Sequence, residues 1–207
     1  MKLVLMGGGK YAGVFCDMFA ADHDIIGYFD DVSPEGYIKD VYGIKYLGGS
    51  NDAAAYLHEC PNALIGIGSE GDLKARIEYF AKFKTLGFAF PAFVHPSAHV
   101  AGKSSIGEGT VVQYRALIHP CVTIGRNCVI SSSAIIGHDS VLGDNVYVGP
   151  GVIINGSAVI GDNTFLGTGS IVIQKKTVGK NCVVAAASCI VSDIPDGVKV
   201  KGVPGKF

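Results

Sequence analysis

Neither sign of charge is in excess: 17 lysines and arginines stand against 18 aspartates and glutamates, a formal net charge of −1. That balance argues against a nucleic acid or a membrane surface held by bulk electrostatics. Long apolar runs are missing too. The longest, "CVVAAASCIV", has ten residues, where a bilayer span needs roughly 18. The opening "MKLVLMGGGKYAG" passes from a short apolar run straight into glycines, without a signal-peptide cleavage pattern. A soluble cytoplasmic protein with no membrane insertion is expected. None of the six cysteines (Cys16, Cys60, Cys121, Cys128, Cys182, Cys189) forms a C-x-x-C pair. Neither a zinc site nor a dithiol motif is therefore indicated, and small, buried, reduced thiols are.

What is present is a repeat. From Val94 to Ile190 every sixth residue is aliphatic, through Ile106, Ile118, Ile130, Leu142, Ile154, Leu166 and Val178, without a slip. The next position is often glycine (Gly107, Gly125, Gly137, Gly143, Gly149, Gly161, Gly167, Gly179), as suits a backbone that must bend sharply. The fifth position of each hexad is small or β-branched, Lys176 being the clear exception. Period six is neither helical nor simply strand-like. It is the signature of a parallel β-helix built from hexapeptides, three to a coil, with the aliphatic residue and the small fifth residue pointing inward. Cys128 and Cys182, three coils apart, should stack in one interior column about 14 Å apart, too far for a disulfide. His95, His99, His119 and His138 lack spacings that would bring three imidazoles onto one metal, so no metal is expected.

Residues 1–90 read differently. "KLVLM" is a strand, "GGGKYAG" a glycine-rich turn and "VFCDMFAA" a helix with Val14, Phe15, Met18 and Phe19 on one face. "DIIGYFDD" is a second strand ending in Asp30-Asp31. A helix near 51–58, a strand "ALIGIG" and an amphipathic helix at about 71–86 follow. This order predicts a Rossmann-like βαβ domain. Its turn could cradle a phosphate on backbone N–H groups. The spacing is not G-x-G-x-x-G, so a nucleotide sugar fits better than a dinucleotide. Asp30-Asp31 sit where a carboxylate meets ribose or base, or else open a loop as a solvated pair.

The turn "GGGKYA", the "FDD" after the second strand, "IGIGS", "FVHPSAHV" and the closing "VKGVPGKF" occur in the order found in one group. With the repeat, they make the whole chain resemble the bacterial sugar O/N-acyltransferases, the sialic-acid O-acetyltransferase (NeuD-like) family and its sugar-nucleotide N-acetyltransferase branch. The resemblance implies an α/β Rossmann-like domain over 1–90 and a left-handed parallel β-helix with a C-terminal tail over 91–207. Handedness comes from the resemblance alone, since the usual crossover rule favours the right-handed form. In that family a His-Glu or His-Asp dyad in the middle coils is catalytic, and "GHD" matches it: His138 would be the general base and Asp139 its orienting carboxylate. Local sequence alone also allows a structural histidine at such a corner. The resemblance carries acetyl-CoA contacts onto Tyr147, Gly156, Thr168, Ala185 and Ala186. It carries nucleotide-sugar contacts onto Lys10, Tyr11, Ala12, Asp30, Asp31 and Gly68. Relatives can carry histidine at Tyr147, and many read glycine-histidine at Lys10-Tyr11, so donor and acceptor contacts differ there.

Family members are trimers with acetyl-CoA between neighbouring β-helices. The expected activity is acetyl-CoA-dependent N-acetylation of a UDP- or dTDP-linked 4-amino-4,6-dideoxyhexose for a surface polysaccharide or glycan. The rival readings are O-acetylation of a sialic-acid-like hydroxyl and a non-catalytic β-helix scaffold that binds nucleotide sugar.

Overall fold

The computed structural model describes residues 1–32, 37–69 and 71–207 and divides into two compact units. The first holds Met1–Glu70 and Lys74–Pro91, and the second Gly71–Leu73 and Ala92–Phe207.

In the first unit the elements run β1 (Lys2–Met6), α1 (Lys10–Phe19), β2 (Asp24–Phe29), α2 (Tyr37–Tyr42), β3 (Tyr46–Gly48), a 3-10 turn at Ala53–Tyr56, β4 (Ala63–Ile65) and α3 (Lys74–Leu86). The four strands form one parallel sheet in the order β3-β2-β1-β4. β1 reads as an unbroken apolar run because both faces are covered, and Leu3, Val4, Leu5 and Met6 are wholly buried. α1 turns Phe15, Met18 and Phe19 inward, while Val14, expected on the same face, is only half-buried. Two local readings differ. The helix expected at 51–58 shrinks to the 3-10 turn, and α2 was not foreseen.

The second unit is a parallel β-helix. Two-residue strands stack in three sheets of seven, six and five members, beginning at Phe93–Val94, His99–Val100 and Ser105–Ile106. Each strand pairs with the one 18 residues on, as in Thr123 with Val141 and Tyr147 with Phe165. Three hexads per coil in unbroken register fit a left-handed β-helix of hexapeptide repeats. Only the last coil is short: Val183 pairs with Lys199, 16 residues on. Every repeat aliphatic from Val112 to Ile190 is buried in one continuous column.

The glycines after the aliphatic residues serve a different purpose from the bend the sequence suggests. The chain bends two positions later, where Asn127, Ser133, Asp139, Asn145, Ser157 and Asn163 all have positive φ. At the second position the constraint is the next coil. A Cβ on Gly107 would lie 2.5 Å from the Gly125 carbonyl carbon, and one on Gly167 2.6 Å from the Ala186 nitrogen. The fifth position also does more than fit a tight space. Thr110 Oγ1 donates to the Gly125 carbonyl at 2.8 Å and accepts from the Cys128 N–H at 2.9 Å, and Thr164 repeats the bridge to Gly179 and Cys182. Cys128 and Cys182 are buried free thiols of that column.

One corner of the triangular coil is closed upon itself. Asn127, Asn145, Asn163 and Asn181 pass side-chain amide hydrogen bonds down four coils at 2.9–3.0 Å. Beside them Arg126 pairs with Asp144 at 2.6 Å and Lys180 with Asp162 at 2.8 Å.

Candidate functional site

A cavity of about 340 Å³ opens in the first unit at the carboxyl ends of β1, β2 and β4. The glycine-rich turn forms its floor. Gly7 takes φ +103°, which admits glycine readily, and a Cβ there would also strike Ile67 Cγ1 at 2.8 Å. α1 follows with no side-chain cap and no acidic residue in its first turn. Of the six residues expected to meet a nucleotide sugar, Lys10, Tyr11, Asp30 and Gly68 line this cavity. Ala12 does not. Its side chain is wholly buried under Gly66, whose Cβ would come within 2.9 Å of the Ala12 Cβ.

The two adjacent aspartates have separate tasks. Asp30 Oδ2 accepts the Gly8 N–H at 2.7 Å and Oδ1 accepts the Val32 N–H at 2.8 Å, which fixes the turn and leaves the carboxylate on the cavity wall. A ligand anion would therefore meet Lys10 and the start of α1, not the Gly8 amide. Asp31 faces elsewhere. It accepts the Ser50 N–H at 2.7 Å, the Ser50 hydroxyl at 2.6 Å and the Tyr79 hydroxyl at 2.6 Å, and Lys82 reaches the same Ser50 oxygen. Burial pushes the Asp31 carboxyl up, but the hydrogen bonds from Ser50 and Tyr79 outweigh it and hold the group below the usual range. Tyr79 is pushed up, by burial first and then by Asp31. Asp31 is thus the anchor of the wall, while Tyr79 lines the cavity.

Sequence reasoning missed Tyr79, Ala75 and Ile67, which also line it. It also missed Arg76, a buried guanidinium that donates to the carbonyls of Ile65 and Ile67 at 3.0 and 3.1 Å and so holds the 65–68 wall. The only signal was an arginine early in a helix that otherwise reads as amphipathic. Gly68 has a steric reason: a Cβ would lie 2.7 Å from the Tyr11 ring.

In the β-helix, His138 and Asp139 occupy the third and fourth positions of one hexad, on the corner that follows the six-stranded sheet. Asp139 makes the bend with φ 58°, and its N–H donates to the Pro120 carbonyl at 3.1 Å. Its Oδ2 lies 2.7 Å from His138 Nδ1, and both side chains are more than half exposed. With Nδ1–H donated to Asp139, Nε2 keeps its lone pair for an incoming proton. The ring rests over Gly156, one coil below. A Cβ there would come within 2.6 Å of Nε2.

The residues expected to meet acetyl-CoA fall in three places. Gly156 shares the His138 corner. Thr168, Ala185 and Ala186 are exposed on the preceding corner, after the seven-stranded sheet. Tyr147 lies on the seven-stranded sheet, 6% exposed and stacked on Phe165 at 5.1 Å. Among the described residues no group of three or more His, Cys, Asp and Glu is placed to hold a metal ion, and no helix is long and apolar enough to cross a membrane.

The bacterial transferase hexapeptide (six repeats) family matches residues 121–156 and 139–174. No curated protein matches the chain by sequence. Among solved structures, PerB from Caulobacter crescentus, in complex with CoA and GDP-perosamine, is 30% identical with a TM-score of 0.90, over 100% of this chain and 96% of that one. A mutant of the same organism's perosamine N-acetyltransferase with a histidine changed to asparagine, bound to the same two ligands, gives 0.91 at 30% identity over the same shares of both chains. The acetyltransferase domain of PglB from Neisseria gonorrhoeae, in complex with acetyl coenzyme A, is 28% identical with a TM-score of 0.90, over 99% of this chain and 98% of that one.

Proposed function

This chain belongs to the bacterial sugar O/N-acyltransferases of the hexapeptide-repeat superfamily, in their sugar-nucleotide N-acetyltransferase branch, and from that membership we propose that it moves the acetyl group of acetyl-CoA onto the amine of a nucleotide-linked 4-amino-4,6-dideoxyhexose. The observation that carries the proposal is the His138–Asp139 pair, 2.7 Å apart and open to solvent on a coil corner.

The chemistry follows from that geometry. The sugar amine attacks the thioester carbonyl, and a C–N bond forms as the C–S bond breaks. His138 Nε2 takes the proton that the amine must lose, and the thiolate of CoA leaves. A positioned base of this kind contributes typically ~10²–10⁴ in rate. Asp139 fixes the tautomer and stabilises the imidazolium that forms. Backbone N–H groups of the coil are the oxyanion donors in this reading. No acyl-enzyme is needed, so the cysteines take no part.

The first unit supplies the substrate's handle. Its parallel order β3-β2-β1-β4 is that of half a Rossmann fold, with the cavity at the carboxyl ends of the strands, which supports a Rossmann-like nucleotide-binding domain. Lys10 and the uncapped start of α1 suit the diphosphate, and Asp30 suits an N–H or O–H donor of ribose or base. We take the protein to be a cytoplasmic homotrimer. Gly156 and His138 lie on one corner while Thr168, Ala185 and Ala186 lie on another, so a groove between two copies would join what one coil separates.

The test is thiol release from acetyl-CoA with UDP-, dTDP- and GDP-linked 4-amino-4,6-dideoxy sugars beside free sialic acid. Release with an amino-sugar nucleotide supports the proposal. Release with sialic acid alone would make the protein an O-acetyltransferase. Binding of nucleotide sugar without any release would leave a non-catalytic scaffold.

A further inference from the structure

Two lysines of α3 behave differently. Lys74 lies 3.9 Å from Glu78, a loose pair one turn along its own helix. Lys82 reaches instead to the loop that follows β3. Its ammonium donates there to the Ser50 hydroxyl and, at 2.8 Å, to Asn51 Oδ1. Both acceptors are neutral, and Ser50 is buried while Lys82 itself is exposed.

The direction of each hydrogen bond follows from what the groups can do. An ammonium has three donors and no acceptor. Ser50 Oγ must therefore accept from Lys82 and turn its own proton to Asp31 Oδ2, 2.6 Å away. The same carboxylate oxygen accepts the Tyr79 hydroxyl at 2.6 Å. Burial raises the Asp31 carboxyl, and the hydrogen bonds from Ser50 and Tyr79, joined by the charge of Lys82, bring it below its usual range. Gly49 leaves room for that carboxylate, since a Cβ there would stand 3.0 Å from Asp31 Oδ1. Tyr79 and Lys82, three apart on α3, share one face of the helix. They grip one aspartate from two sides, Tyr79 directly and Lys82 through Ser50. Of the two, only Tyr79 lines the cavity.

We propose that Lys82 is a positioning residue for the acceptor cavity, holding the Tyr79 wall in place by fixing the Ser50 proton on Asp31. The assignment rests on the reading of that cavity as the nucleotide-sugar site. Without the ammonium the Ser50 hydroxyl can turn to water, Asp31 loses a donor, and the Tyr79 ring loses its fixed seat. The substrate itself is not touched by Lys82.

The experiment measures UDP, dTDP and GDP binding by calorimetry, and steady-state thiol release, on the full chain and on Lys82→Met, Tyr79→Phe and the double variant. Lys82→Arg keeps donors without acceptors, and Lys84→Met removes an exposed charge from the same helix; circular dichroism checks each protein. Lys82→Met should weaken nucleotide binding about threefold to tenfold, as for one hydrogen bond from a charged group partly open to solvent. The acceptor KM should rise with it while kcat and the KM for acetyl-CoA hold. Lys82→Arg should stay within twofold of the parent, and Lys84→Met should bind as the parent does. The double variant should bind no more weakly than the weaker single variant, because both act on one carboxylate. Unchanged binding in Lys82→Met would overturn the proposal. Additive losses in the double variant would overturn it too, as would an equal loss in Lys84→Met, which would make the effect one of bulk charge. Failure of the unmodified chain to bind any of the three nucleotides would remove the nucleotide reading of the cavity, and this role of Lys82 with it.

Discussion

Replacing Gly156 by alanine tests the seat of the imidazole directly. Gly156 does not use positive φ, so the substitution asks nothing unusual of the backbone. A Cβ would stand 2.6 Å from His138 Nε2, 2.8 Å from Cε1 and 3.0 Å from Cδ2. Ordinary contact begins near 3.4 Å, so the ring must retreat by about 0.8 Å (3.4 less 2.6). Nothing forces the fold to give way instead, because the ring is exposed and can swing out. A displacement of about 1 Å between base and reacting atom can cost ~10² in rate. We therefore expect Gly156→Ala to lower kcat by roughly 30- to 100-fold. The midpoint of thermal unfolding should move by no more than a degree or two, and the KM for the acceptor should hold. Steady-state thiol release and a thermal melt on one preparation decide it. A kcat within threefold of the parent would refute the reasoning, and so would a loss of rate that merely tracked a loss of folded protein.

Further outcomes follow from the same geometry. His138→Ala should lose ~10²–10⁴ in kcat while calorimetry still finds nucleotide-sugar binding, and Asp139→Asn should lose less with KM unchanged. Tyr79→Phe removes one of the hydroxyls on Asp31 and should raise the acceptor KM several-fold while kcat holds, as initial rates would show. The hydrogen bond from Arg126 holds Asp144, and the one from Lys180 holds Asp162, below the usual carboxylate range. A depressed folded value means that this stabilisation is complete above the unfolded value of about 3.9 and fades as pH falls through the folded ones. Thermal melts from pH 6 down to pH 2.5 should therefore flatten at their acid end in Asp144→Asn, by at most ~1 kcal/mol since Arg126 is well exposed and Asp144 partly so. Finally, if the groove lies between subunits, mixing His138→Ala chains with Ala186→Trp chains should restore activity that neither has alone; no recovery after co-refolding would count against the trimer.

The β-helix was legible because its repeat is one-dimensional. Each coil contacts only its neighbours, so spacing in the sequence is spacing in space, and Cys128 and Cys182 could be placed in one column before any coordinates. What failed there was the reason for the glycines. Crowding from the adjacent backbone cannot be read from one hexad, and it explains Gly107 and Gly167 better than a bend does. The first unit was less readable for the opposite cause. Its cavity is assembled from β1, β2, β4 and α3, and no local pattern announces that Tyr79 comes to Asp31 across 48 residues. The pair Asp30-Asp31 looked like one feature because the residues are adjacent. In an extended segment successive side chains point opposite ways, so one faces the cavity and the other the loop at Ser50.

That alternation, applied to the coil, accounts for how one repeat can hold several functions. The inward positions are fixed by the core and vary little between hexads. The corners are not constrained in that way, and each takes its character from what its column accumulates. Asparagines and ion pairs that hold one another from coil to coil close the first corner. Small uncharged residues make the second smooth over the coils from Gly149 to Ala187. The third carries a histidine oriented by its own neighbour and seated on a glycine one coil below. A substitution at an outward corner position that neither crowds the next coil nor breaks an ion pair leaves the core untouched, so the chemistry of this fold can change there at little cost in stability, and only the columns, not the hexads, reveal where it lies.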